Sequence, residues 1–270
     1  NALRAGGGVY SSEGSRARIT ACTVSETEAP DGGGISFEGD CNGEVRDCVI
    51  DHNETSGIKA SGSTIPTGPG LVIESCRIFR NRADGDYGAG GGMSLGGVQA
   101  RIINCVIYKN EDFAGIYAGA MEVMGSTVTM EFCTIVGNSA SGYAAGIWLE
   151  ASDLRLTSTI LWGNKNLGGD EDNLFIFEGE DPYSVEASHC IIGGEPEILG
   201  DTSFDADPLF AGPGIAEFEA EWGDFHLRAD SPAVNAGAFV ADVGTDIDGD
   251  LRSCAGEADI GADEDCFVQT

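Results

Sequence analysis

The chain has little positive charge. It carries 14 Lys and Arg, only three of them Lys, against 45 Asp and Glu in 270 residues. A net charge of −31 excludes nucleic acid as a natural partner, because phosphate contacts need a basic surface. It disfavours anionic membranes and suits a solubilised exterior, a saline habitat or divalent cations. No apolar run reaches the ~18 residues of a membrane-spanning helix. No stretch longer than a turn or two reads as helix. Zinc is not expected, since no C-x-x-C and no clustered His and Cys occur. His52, His189 and His226 are far apart in sequence, and so are Lys59, Lys109 and Lys165. His189 cannot serve Cys190 as a base, because adjacent strand residues face opposite ways. Asp47, Asp51, Glu74 and Glu131 are outward candidates, yet no repeated register gathers carboxylates into the pair a glycosidase needs.

What the chain has is a repeat. The pattern is Cys22-Thr-Val-Ser-Glu-Thr27, Cys48-Val-Ile-Asp-His-Asn53, Cys76-Arg-Ile-Phe-Arg-Asn81, Cys105-Val-Ile-Tyr-Lys-Asn110, Cys133-Thr-Ile-Val-Gly-Asn138 and Ser158-Thr-Ile-Leu-Trp-Gly-Asn164. The cysteines recur 26, 28, 29 and 28 residues apart, a period that marks a stacked repeat architecture. Glycine-rich landmarks such as Gly32-Gly33-Gly34-Ile35 and Gly90-Gly91-Gly92-Met93 precede each unit. Between landmarks apolar residues alternate with period two, as in Leu71-Ile73, Val128-Met130 and Leu154-Leu156, which reads as strand. In the fourth unit Val106 and Tyr108 break the alternation or point outward. Forty-one glycines fit a chain that turns a corner every few residues.

The predicted fold is an all-β, right-handed parallel β-helix of about seven coils, rising about 4.8 Å each to a rod on the order of 35 Å long. In-register stacking puts like on like. Cys22, Cys48, Cys76, Cys105, Cys133 and Cys190 are expected as an inward column of buried free thiols, since parallel Cβ vectors make poor disulfides. Val24, Ile50, Ile78, Ile107, Ile135 and Ile160 form the next column. Asn53, Asn81, Asn110, Asn138 and Asn164 form a ladder at a corner, where Asn tolerates the left-handed conformation. Tyr108, Tyr117, Tyr143, Trp148 and Trp162 lie near equivalent coil positions and read as a sugar platform or as packing.

These motifs resemble the parallel β-helix repeats of secreted bacterial proteins over about Asn1 to Gly194. They are also similar to the paired Gly-Gly-Ala-Ile and Phe-x-x-Asn motifs of polymorphic outer-membrane adhesins. After Ile192 the period is lost. Asp207-Pro-Leu-Phe210, Gly223-Asp-Phe-His-Leu227, Ser231-Pro-Ala-Val-Asn-Ala-Gly237, Asp246-Ile-Asp-Gly-Asp-Leu-Arg252 and Ala258-Asp-Ile-Gly-Ala-Asp-Glu264 resemble the closing region of choice-of-anchor Q proteins. That resemblance implies a secreted, cell-surface β-helix. Asn235 stands where that family has Asp, and Asp263 where an aromatic is common. Cys254 and Cys266 flank the last of these motifs and are disulfide candidates.

Residues 1–200 are expected as coils and 201–270 as a closing region packed on them. Phe204, Leu209, Phe210, Phe218, Trp222, Phe225 and Leu227 supply apolar mass to cap exposed strand edges. Asp246, Asp248 and Asp250 resemble the start of a calcium loop but lack its Glu, and read either as a Ca2+ site or as carboxylates that lock the cap onto backbone N–H groups and Arg252. The chain opens without Met or a leader, which suggests processing or excision from a longer protein. The expected role is extracellular, structural or adhesive. Self-association by end-to-end stacking, or a surface polysaccharide, supplies the partner. A polysaccharide lyase or glycosidase, or a calcium-stabilised carbohydrate-binding module, is the alternative.

Overall fold

A computed structural model describes residues 7–265 apart from 13, 30–32, 40–41, 63–69, 84–89, 114, 116, 180, 195–199, 213–223 and 253–256. Cys41, Phe218, Trp222, and the disulfide candidates Cys254 and Cys266, lie outside the described residues.

Each coil gives one short strand to each of three parallel seven-stranded sheets. The first runs from Val9–Ser12 through Ile35–Glu38, Ile58–Ser61, Met93–Gly96, Met121–Met124 and Ile147–Glu150 to Leu174–Phe177. The second runs from Arg18–Thr20 to Ser184–Ser188, and the third from Thr23–Ser25 to Ile191–Ile192. Two-residue strands at Arg82–Ala83, Glu111–Asp112, Ser139–Ala140 and Lys165–Asn166 make a fourth ladder. All strand pairs in these sheets are parallel and in register, so period-two alternation places one apolar column per inward position. Ile35, Ile58, Met93, Met121 and Ile147 are fully buried in one such column.

The corners explain the repeat. The residue before each column cysteine, and before Thr159 in the sixth copy, has a left-handed backbone: Ala21, Asp47, Ser75, Asn104, Phe132, Ser158 and His189 have φ of 48–54°. The next corner has the same form at Glu26, His52, Arg80, Lys109, Gly137 and Gly163. The left-handed residue is therefore the one ahead of each Asn, not the Asn itself. The Asn instead turns its side chain inward, which the expectation had placed in the turn.

Two further expectations need correction. The sixth copy is shifted by one. Ile135 pairs with Leu161, and Ile160 with Thr134, so Thr159 takes the cysteine position and Leu161 joins the apolar column. Counting back from Asn164 gives this register, whereas Ser158 only resembles Cys in size. Cys22 is exposed in the first coil, while the other five column cysteines are buried.

The tail closes the last coil and then lies along the flank of the third sheet. Phe204 bridges to Ile191, and Ser203 Oγ accepts from the Cys190 N–H at 3.1 Å, adding one more hydroxyl to the cysteine column. Farther on, Phe79, Tyr108, Val136 and Ala262 form one buried cluster with Phe210, Phe225 and Ile247. This accounts for Val106 and Tyr108: from Phe79 onward the third sheet is covered on both faces, so its strands there are largely apolar on both. Arg252 anchors the contact. Its Nη2 donates to Asn104 Oδ1 and Ala262 O, both at 2.9 Å, and its guanidinium lies 4.2 Å from the centre of the Phe132 ring.

Candidate functional site

The two ladders are built for cohesion. Asn110 is typical of its column. Its Nδ2 donates to Ile78 O at 2.9 Å and to Asn138 Oδ1 at 3.0 Å, and its Oδ1 accepts from the backbone N–H of Asn81 at 3.0 Å. Thr27 joins the ladder at one end through Asn53, and Asn173 joins at the other through Asn164. All members from Asn53 to Asn173 are buried. The six described column cysteines are free thiols. Each buried one donates to the carbonyl two residues back, as Cys105 does to Ile103 at 3.2 Å. Burial pushes the Cys105 thiol up, and that of Cys190 to about 11, so neither is a nucleophile at neutral pH.

The outer face of the first sheet differs from the other two. Its register sets Tyr10, Ser36, Lys59, Ser94, Glu122, Trp148 and Phe175 in one outward column. Ser94 Oγ donates to Glu122 Oε2 at 2.6 Å. Glu122 is 3% exposed, and burial raises its carboxyl to about 7 despite the Ser94 hydroxyl and the Lys59 charge; Asp112 and Glu150 push the same way as burial. Beside it Trp148 stacks on Phe175 with ring centroids 4.8 Å apart and on Phe177 at 5.7 Å. Tyr117 and Tyr143 meet the indole edge-on at 5.7 and 5.4 Å. Tyr143 and Phe177 are exposed. The Trp148 Nε1–H and the Ser36 hydroxyl, both buried, have no hydrogen-bond partner among the described residues.

The expected aromatic platform thus divides. Tyr117, Tyr143 and Trp148 come together on the first sheet, while Tyr108 stacks on Phe79 at 4.8 Å beneath the tail and Trp162 packs against the tail cluster. Sequence reasoning missed Glu122 and its neighbours. Laying Lys59, Ser94 and Glu122 into register would have put them on one outward column, but only after each coil had been aligned.

The three tail aspartates do not converge. Asp246 is buried, and its Oδ1 accepts the backbone N–H groups of Asp248, Gly249 and Asp250 at 2.8–2.9 Å, its Oδ2 that of Glu264 at 3.0 Å. Asp248 instead bonds Arg77 at 2.6 Å, and Asp250 is exposed. Arg252 pairs with Glu264 at 3.6 Å rather than with these carboxylates. Asp246 thus acts as the staple of a tight loop. A cavity of about 590 Å³ beneath the tail is walled by Phe132, Ala238, Val240 and Val243 with His189 at its rim. Its lining mixes these apolar residues with Arg252 and Glu257, and it gathers no carboxylate pair.

The family model described as a right handed beta helix region matches residues 2–120. The coils beyond that span continue in the same register to Ile192. No curated protein matches the chain. Among the described residues, no helix is long and apolar enough to cross a membrane.

Proposed function

For this right-handed β-helix protein, we propose an extracellular, non-catalytic binding role, in which the aromatic end of the first sheet holds an extended polysaccharide. One observation carries the reading. Tyr117, Tyr143, Trp148, Phe175 and Phe177 form a continuous ring cluster whose rims reach solvent beside Glu122 and Ser94. Apolar faces with a few placed polar groups are what a sugar chain requires of a binding surface. The net charge of −31 selects a neutral or cationic glycan over a polyuronate. Copies stacked end to end would set such platforms in a row, and electron micrographs of the purified protein test that.

Affinity electrophoresis in gels cast with neutral glycans or with polyuronate is the primary test. Retardation in neutral glycan, weakened by Tyr143→Ala and by Phe177→Ala, is expected. Equal retardation of wild type and both variants, or none at all, refutes the platform.

A catalytic reading is favoured by one feature, the Glu122 carboxyl at about 7, which suits a general acid or base near neutral pH. Reducing ends that accumulate with time and vanish in Glu122→Gln would establish an enzyme. Binding without turnover keeps the first reading.

A further inference from the structure

A second grouping in the tail is announced by no spacing in the sequence. His226, Asp248 and Asp263 come from three separate tail segments and face one another over the flank of the third sheet. His226 Nε2 lies 3.8 Å from Asp248 Oδ2 and 3.8 Å from Asp263 Oδ1. That is too long for a hydrogen bond. It is near the roughly 3–4 Å that separates two ligand atoms each about 2.1 Å from a shared ion. One ligand atom from each residue fits within 4.8 Å of the others. The other imidazole nitrogen is already held: Nδ1 is 2.6 Å from Asp224 Oδ1. With the proton on Nδ1 donated to Asp224, Nε2 offers its lone pair to the two carboxylates. A carboxylate behind the ring is the usual second partner of a metal-bound imidazole.

The carboxylates point to the same conclusion. Asp263 is 6% exposed, yet its Oδ2 has no hydrogen-bond partner among the described residues. Asp248 divides its oxygens. Oδ1 takes the Arg77 guanidinium at 2.6 Å, and Oδ2 faces the histidine. A cavity of about 170 Å³ opens at this point, between Arg77 and Val106 of the coil wall and Phe225 and Ile247 of the tail.

We propose that His226, Asp248 and Asp263 bind one divalent transition-metal ion of the zinc class, with Asp224 orienting the imidazole and water completing the shell. One imidazole and two carboxylates suit such an ion, whereas calcium takes about 6–8 oxygens. The ion ties together three tail segments where they meet the coils, next to the edge-on contact of Phe225 with Tyr108 at 4.9 Å. Its role is to pin the tail, and it is independent of the polysaccharide reading.

The test uses the full chain, stripped with chelator and titrated with zinc or calcium by calorimetry and thermal unfolding. One zinc per chain, with Tm rising with free zinc and calcium unable to replace it, is expected. Asp224→Asn should weaken binding about 10–100-fold, and His226→Gln or Asp263→Asn more. Asp263→Asn should still fold without metal, since the amide keeps the shape of the carboxylate. Absence of zinc binding, or unchanged affinity in His226→Gln and Asp263→Asn, overturns the proposal. So does a sulfur-to-metal charge-transfer band with cobalt, which would place the ion on the cysteines. Should His226→Gln fold poorly, ring NMR signals of the wild-type chain decide, because only one of three histidines should shift on zinc addition.

Discussion

Replacing Asn110 tests the ladder most directly. The Ala variant deletes an amide that is wholly buried. It orphans the Asn81 backbone N–H and one Asn81 amide hydrogen and takes the Asn110 donor from Ile78 O, while Asn138 Oδ1 keeps the Asn110 backbone N–H. Each buried orphan costs about 1–3 kcal/mol, and a water in the vacated space offsets part of it. We expect a loss of about 3–6 kcal/mol, a large share of the roughly 5–15 kcal/mol that holds a typical domain. Asn110→Asp keeps the shape but turns the donor toward Ile78 O and Asn138 Oδ1 into an acceptor, and at neutral pH it buries a charge. It should cost more than Ala at pH ~7 and recover in acid, as the carboxyl regains a proton and with it a donor. Guanidinium unfolding followed by circular dichroism measures both. A cost below about 1 kcal/mol for Ala would show that the ladder contributes little. Asp tolerated as well as Ala would show that the amides point the other way.

Stability should also depend on Glu122. Its folded carboxyl titrates at about 7 against 4.5 for the free group. The native state therefore holds a proton that the unfolded state has released, and stability falls as pH rises from 4.5 toward 7. A shift of this size corresponds to about 3 kcal/mol. Glu122→Gln should flatten that part of the Tm–pH curve, and an unchanged slope would refute the assignment. Arg80→Gly should stabilise by about 0.5–1 kcal/mol, because Arg80 has φ of 53° where the two later coils already carry Gly137 and Gly163. A lower Tm would count against the corner argument. Arg252→Ala strands Asn104 Oδ1 and the Glu264 carboxylate and should cost about 3–5 kcal/mol. Limited proteolysis should then cut the tail first, and a tail as resistant as wild type would show that it is held elsewhere.

The coils were legible because stacking forces like onto like. A period of 26–29 residues fixes strand, core column and Asn ladder together. The errors arose where two signals competed. Ser158 mimics the small size of Cys, yet Asn164 sets the register and moves Thr159 into the column. Asn is a plausible left-handed residue, yet Gly137 and Gly163 already marked the position before it. The tail offered no period. The meeting of His226, Asp248 and Asp263 depends on how irregular segments fold back, which no spacing rule reaches. Its resting place did leave a trace, in the outward apolar Val106 and Tyr108.

The three faces of the rod differ in what they leave unsatisfied. The second sheet pairs its outward charges from coil to coil, with Arg18 to Glu44 at 2.9 Å, Arg101 to Glu131 at 2.6 Å and Arg155 to Glu186 at 2.7 Å. Such a surface is self-complementary along the stack and gains little from a ligand. The third sheet is covered by the tail from Phe79 to Ile191. The strands of the first sheet keep two buried polar atoms without partners among the described residues, Ser36 Oγ and Trp148 Nε1, beside a carboxyl that burial holds near neutrality, while Asp263 Oδ2 in the tail and His189 Nδ1 at a corner are left in the same way. Orphaned polar groups cost stability where they stand. Among the described residues, the first face alone of the three is neither charge-paired along the stack nor covered by the tail, and its unpartnered atoms are where a hydrogen-bonding ligand has most to gain.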